Sequence, residues 1–264
     1  VDVVSLGFRT DLMLRRLAGA IIVDRTRYLA VRTPANPGFW WGNFLLFPGP
    51  PRPADTPGWL AAFVAEFPGA VHLAFGVDGT SGDYGSEAGL VGLGVSAQVS
   101  TVLTARSLRP LAGPGAGATC RPVESDDDWA QVARLHLACD DHGSDPGQRL
   151  FNERWLDEVR DLCRRGRGAW FGAFAGGQMR SGCGIFSDGA GIARFQSVET
   201  EPGYRCRGLA SQVVHAAGRH ALARLGARTL VIVAGAGSAA GRIYRALGFT
   251  DAERQVELQR TPRP

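Results

Sequence analysis

Apolar and polar positions along the chain fall into two blocks that run through a similar succession of elements. In the first, Asp11 to Leu17 has the spacing of a short helix, and Ala20 to Arg32 reads as two strands around a polar turn at Asp24 to Arg27. Phe39 to Phe47 is apolar at both alternating sets of positions: Phe39, Trp41 and Leu45 on one face, Trp40, Phe44 and Leu46 on the other. That pattern predicts a central strand covered on both sides; a ligand-stacking platform is the other use of so many rings. The proline-rich stretch Pro48 to Pro57 leads into a helix through Phe67, with Pro57 near its first turn. A strand over Val71 to Val77, a polar loop over Ser81 to Glu87, a short helix and a strand over Gln98 to Ala105 complete the block.

Leu108 to Thr119 has the composition of a linker, so domains are expected over 1–110 and 119–264. Beyond it the pattern restarts. A short strand spans Cys120 to Val123, and Ser125 caps a helix over Asp126 to Ala138. A second helix covers Leu150 to Arg164. Strands follow near Trp170 to Ala175, Arg180 to Ser187 and Ile192 to Thr200, then a turn, a long helix, a strand over Thr229 to Val233, a helix to Leu247 and a last strand over Ala252 to Gln259. The fold class is therefore α/β (α+β), with helices flanking sheets. Sliding Leu93-Gly94-Val95-Ser96 onto Leu247-Gly248-Phe249-Thr250 also brings Val102 onto Val256 and Arg106 onto Arg260, so the two blocks read as a repeat.

Composition narrows the function classes. The net charge is +4, spread along the chain with no basic tail, which argues against nucleic acid as a partner. Every basic side chain other than His is Arg, a bias that, with the abundant Ala, Gly and Pro, resembles GC-rich coding; no Arg counts as functional merely for being Arg. The five cysteines fit neither a zinc spacing nor a complete disulfide framework, so no metal is expected and reduced thiols in the cytoplasm are. No apolar run reaches the roughly 20 residues of a membrane span, and charges scattered through the first 16 residues do not read as a secretory signal.

The stretch from Ser197 through Leu225 carries the chemistry. Gln196 to Thr200 alternates as a strand, Pro202-Gly203 breaks it, and Gly208 opens a long apolar-spaced helix. In Arg205-x-x-Gly208-x-Ala210, small residues stand where backbone N–H groups face outward at a helix N-terminus, with two guanidinium groups beside them. Free amides, the positive helix end and arginine together suit a pyrophosphate; a surface turn that happens to carry arginines is the alternative. Gly235-x-Gly237-x-x-Ala240 matches a dinucleotide fingerprint, but it needs a βαβ context and only one strand is legible after it.

The Arg205-x-x-Gly208-x-Ala210 turn, followed by Ala240-x-x-x-Tyr244-x-x-x-Gly248-Phe249, resembles the GNAT family of acyl-CoA-dependent N-acyltransferases over residues 119 to 260. The first block looks like a degenerate GNAT half, which would make the chain two tandem GNAT-like domains, each with a mixed, mostly antiparallel central sheet flanked by helices. Its counterparts of the cradle, Pro51, Pro53, Ala54 and Thr56, include prolines that have no N–H to give.

The resemblance implies acetyl-CoA as co-substrate, with Arg205, Cys206, Arg207, Gly208, Leu209 and Ala210 holding its pyrophosphate. It also implies that the strand before the turn splays from the next one and offers Ser197, Val198 and Thr200 to the pantetheine arm and acyl carbonyl. Tyr244 would protonate the departing thiolate. Two positions depart from the family: Gly237 stands where an Asn is frequent, and Ile232 where some relatives have Glu. For a base, Glu199 and Glu201 share a strand face opposite Val198 and Thr200, and His136, Asp140, Asp141 and His142 lie in the segment that lines the acceptor site in such folds. His215 and His220, on the long helix, are expected to be structural. The expected activity is transfer of acetyl to an amine of a small-molecule acceptor; the other reading is a non-catalytic acyl-CoA-binding or regulatory module. The aromatic first half could close over the acceptor, serve as scaffold or form a homodimer interface.

Overall fold

The computed structural model describes residues 1–85, 93–111, 117–139 and 146–260. It divides into two compact units: Val1–Val102 with Ala234–Ala236 and Ala252–Pro264, and Leu103–Val233 with Gly237–Asp251.

In unit 1, helix α1 (Leu6–Leu17) begins five residues before the expected start. The reason is a set of tertiary caps that the local pattern does not show. The Ser5 hydroxyl accepts from Phe8 N, the Asp78 carboxylate from the amides of Val4 and Ser5, and the Glu253 carboxylate from those of Leu6 and Gly7. Carboxylates at a helix N-terminus satisfy its unpaired N–H groups and complement its dipole.

Strands β1 (Ile21–Asp24), β2 (Leu29–Arg32), β3 (Phe44–Phe47) and β4 (Leu73–Val77) follow, with α2 (Thr56–Glu66) between β3 and β4. β1–β2 and β2–β3 are antiparallel and β3–β4 is parallel. β3 is buried on both faces, as its pattern predicts, but it is half the expected length. Trp40–Gly42 forms a 3₁₀ turn instead of strand. Asn43 imposes it: its side-chain amide donates to Phe39 O at 2.8 Å and its carbonyl accepts from Thr33 N at 3.0 Å. The rings of this stretch are mostly core, with Phe47 stacked on Trp59 at 3.7 Å.

The last strand of the chain, β11 (Thr250–Arg260), pairs antiparallel with β4, from Val256↔Val77 to Arg260↔Leu73. The expected boundary, which put residues up to 264 in the second domain, thus differs from the packing. The remaining strand of this unit, β5 (Ser96–Ala105), contributes its first residues to unit 1 and its last three to unit 2. The short helix expected before β5 and part of the linker lie outside the described residues.

Unit 2 holds β6 (Thr119–Pro122), α3 (Asp126–Cys139), α4 (Pro146–Arg164), β7 (Gly168–Ala175), β8 (Gln178–Phe186), β9 (Ile192–Thr200), α5 (Leu209–Arg224), β10 (Thr229–Gly235) and α6 (Ala239–Ala246). Its strands lie in the order β6-β7-β8-β9-β10, antiparallel except for β9–β10. Within each unit the strand pairing is mixed and mostly antiparallel, as expected. α3 packs on β8 and β9, α4 on β7, and α5 on β6 to β9.

Three tryptophans form the centre under α3 and α4. Trp155 meets Trp170 edge-on at 5.5 Å, and Trp129 lies 6.4 Å from Trp170. Gly184 is required here, because a Cβ would come within 2.8 Å of the Trp170 ring. Among the described residues no helix is long and apolar enough to cross a membrane.

Candidate functional site

Apart from Tyr244, the expected site residues lie along the end of β9 and the turn into α5. On β8, Gly182 and Gly184 face Glu199 and Gln196, so β9 carries one residue more than its partner across this interval. Ser197 sits within that β-bulge with φ +47°, a left-handed conformation that costs an L-residue on the order of 1–2 kcal/mol. On the other side, β9 pairs with β10 only through Ile192↔Thr229, Ala193↔Leu230 and Arg194↔Val231. Beyond Arg194 the described residues form no further β9–β10 pairs, so the strands part ahead of the bulge. Ser197, Val198 and Thr200 lie on the parted section.

The turn after β9 is a one-turn 3₁₀ helix at Pro202–Tyr204, followed by Cys206 at φ +61° and Gly208 at φ +77°. The positive φ at Gly208 turns the chain into α5, and no side chain caps the helix. The first carbonyl used is that of Gly208, which accepts from Gln212 N at 3.2 Å. The N–H groups of Leu209, Ala210 and Ser211 donate to no described residue, so the positive end of the helix is open. The arginines are exposed and folded onto the turn itself. Arg205 Nε donates to Thr200 O at 3.2 Å; Arg207 donates to Gly203 O at 3.1 Å and lies 4.7 Å over the Tyr204 ring.

Of the two candidate carboxylates, Glu201 is taken: Arg180 pairs with it at 2.5 Å while lying 4.3 Å over Tyr204. Glu199 faces α3, where Oε1 accepts from His136 Nδ1 at 2.7 Å. Both side chains are more than four-fifths buried, and Glu199 Oε2 is buried with no described donor. The His136 ring stacks on Trp155 at 4.2 Å and 21°. Beside them, Cys139 Sγ donates to Thr200 O at 3.4 Å, and burial, then the Glu199 charge, push its thiol pKa up. Asp140, Asp141 and His142 lie outside the described residues.

Tyr244 projects from α6 and is only 4% exposed. Burial, reinforced by the neighbouring Cys183 thiol, raises its phenol well above the ordinary value, so it is protonated at neutral pH. A free phenol near 10 would match a thiolate in water more closely. His215 and His220 sit on α5; burial lowers both, and His220 packs edge-on against Phe171. Gly235 to Ala240 leads through Gly237 at φ +71° into the eight-residue α6, and the strand that follows runs antiparallel to its partner β4.

The corresponding elements of unit 1 are built differently. β3 and β4 stay paired from Leu45↔Phe75 to Phe47↔Val77, and Asp78 N continues the ladder to Phe47 O at 2.8 Å. In the turn that follows, Pro51 and Pro53 have no N–H, and the Asp55 carboxylate already accepts from Arg52 N and Arg52 Nε. The strands do not part, and this turn offers fewer amides.

A GNAT-type acetyltransferase fold is what these features define: a bulged strand parting from its parallel neighbour, then a glycine-opened helix with bare amides. The family model described as FR47-like protein matches residues 183–258. No curated protein matches the chain. Among solved structures, a GCN5-related N-acetyltransferase from Kribbella flavida superposes with a TM-score of 0.64 at 16% identity, covering 98% of this chain and 96% of that one. A functionally unknown conserved protein from Staphylococcus epidermidis gives 0.64 at 14% identity, over 93% and 96%. A tandem GNAT protein from the clavulanic acid biosynthesis pathway gives 0.50 at 15%, over 73% and 65%. The family model thus covers less than a third of the chain, and the structural likeness shows a GNAT-type fold over most of its length.

The sequence singles out the Arg205 to Ala210 turn and Tyr244 but carries no sign of the bulge, the His136–Glu199 contact or the Trp155 stack. His136 and Glu199 lie 63 positions apart, so only the helix-on-strand packing joins them.

Proposed function

We propose that the chain is an N-acetyltransferase that moves an acetyl group from acetyl-CoA to the amine of a small-molecule acceptor. The observation that carries this reading is the bulge at Ser197 on a strand that parts from β10 and leads into the bare amides of Leu209 to Ser211. Among the described residues this arrangement occurs once, in unit 2. The free state of all five cysteines fits a reducing compartment such as the cytoplasm.

Acetyl-CoA supplies an acetyl thioester. The N–H groups of Leu209, Ala210 and Ser211 hold its pyrophosphate, with Arg205, Cys206, Arg207 and Gly208 shaping the loop. Backbone groups of Ser197, Val198 and Thr200 take the pantetheine arm and polarise the acyl carbonyl. Glu199 accepts a proton from the acceptor nitrogen as that nitrogen bonds to the carbonyl carbon. The C–S bond breaks with its electron pair on sulfur, and Tyr244 gives the sulfur a proton. Afterwards Glu199 returns its proton to solvent and Tyr244 takes one back. The raised phenol pKa disfavours donation to a thiolate in water, but desolvation raises a thiolate's basicity in the same direction, which narrows the mismatch.

A second reading, an acyl-CoA-binding module without turnover, is favoured by Gly237 at the position where the family frequently has Asn. The test is binding of acetyl-CoA to the full chain by calorimetry, with release of free CoA thiol followed across a panel of primary amines. Binding with amine-dependent thiol release supports the enzyme. Binding without release from any amine supports the module, and absence of binding removes both.

A further inference from the structure

We propose that His136 is the positioning residue of the acceptor side: it fixes Glu199 through Oε1 so that Oε2 alone receives the acceptor's proton. The inference rests on the acyltransferase reading above and adds to it a residue that touches no reacting atom.

Three observations converge. The Nδ1–Oε1 contact is 2.7 Å, within the short range of charge-assisted hydrogen bonds, and links α3 to β9. Next, the His136 ring cannot swing freely, because it lies flat on Trp155, which is itself held edge-on by Trp170. Finally, Glu199 Oε2 is buried without a described donor, two residues beyond the bulge at Ser197. An unpaired buried acceptor is costly, so a carboxylate free to rotate would share both oxygens with whatever donors it could reach. The stacked imidazole prevents that by holding one oxygen in one direction.

The arrangement also sets the imidazole's state: whether neutral or charged, His136 must carry its proton on Nδ1 to meet the carboxylate. Glu201, the other carboxylate of this segment, is held by Arg180 and is not a substitute.

The test uses the full chain and an amine that the panel above shows to be turned over. His136→Ala is expected to lower kcat by about 10–100-fold, the size of effect expected when a reacting group is misplaced by about an ångström. KM for the amine and the acetyl-CoA dissociation constant should stay within about twofold. His136→Asn places an amide N–H close to the Nδ1 position and should restore most of the lost kcat. Independently of activity, nitrogen-15 NMR of labelled histidine should show Nδ1 protonated in the wild type, and Glu199→Ala should abolish that preference.

An Nε2–H tautomer in the wild type would overturn the proposal. So would a full kcat in His136→Ala, or an Asn variant as slow as the Ala variant while binding acetyl-CoA normally. If the wild type binds acetyl-CoA but acetylates no amine, the acyltransferase reading fails, while the tautomer measurement still decides whether His136 holds Glu199.

Discussion

Backbone amides and arginines contribute unequally to the cradle, and the difference can be measured. Arg205 and Arg207 are exposed and already bonded to carbonyls of their own turn, so each is expected to add no more than a surface ion pair, about 0–1 kcal/mol. A helix-end N–H bonded to a charged phosphate oxygen is worth about 1.5–3 kcal/mol. Ala210→Pro removes one such N–H in the first turn of α5, where the amide has no partner within the helix and the fixed proline φ suits the helix. The expected loss is therefore about 10- to 150-fold in acetyl-CoA affinity for Ala210→Pro, against about 30-fold at most for Arg205→Ala combined with Arg207→Ala. Isothermal titration calorimetry at two salt concentrations separates them: the arginine contribution shrinks with salt, and the amide contribution shrinks much less. Thermal unfolding checks that the proline variant keeps its fold. A normal dissociation constant for a folded Ala210→Pro, with a large loss in the double arginine variant, would refute the assignment to backbone amides.

Tyr244→Phe is expected to lower kcat by about 10²–10⁴-fold, the usual worth of a general acid, with acetyl-CoA affinity unchanged by calorimetry. Asp128 bonds both Arg121 nitrogens at 2.7 Å and the amides of Glu124 and Ser125. The Arg121 guanidinium, ahead of those amides, holds its carboxyl well below the usual range. Its stabilisation is therefore complete above about pH 4, the unfolded value, and is lost as pH falls towards the folded one. Asp128→Asn should cost about 1.5–3 kcal/mol at pH 7 and flatten the acid side of a stability–pH curve from denaturant melts. Deleting residues 252–264 should unfold unit 1, seen as loss of the cooperative transition and aggregation, because β4 would lose its partner and Trp41 its bond to Gln259 Oε1.

Legibility followed the range of the interactions. The Gly208 turn and the Ser238-capped helix α6 are local, so the residues that build them are adjacent in sequence. The bulge at Ser197 leaves no local mark, because a left-handed serine is imposed by two neighbouring strands and not by its own propensity. Phe39 to Phe47 shows propensity overridden: a single Asn43 amide, bonded to Phe39 O, turns the first half into a 3₁₀ turn. The early start of α1 depends on Asp78 and Glu253, more than 70 and more than 240 positions away. Glu199 and Glu201 looked equivalent by strand alternation, and only their distant partners, His136 and Arg180, tell them apart.

The pairing of β11 with β4 sets an order of events during synthesis. Roughly 170 residues separate the end of β4 from the start of β11, which at about 5–20 residues per second is on the order of 9–34 s of translation. The segment made first therefore waits with an apolar strand edge open until residues 250–260 have been made. Its sheet closes only when those residues have emerged. A polypeptide released before residue 250 would carry residues 1–102 of unit 1 and still lack the strand that pairs with β4.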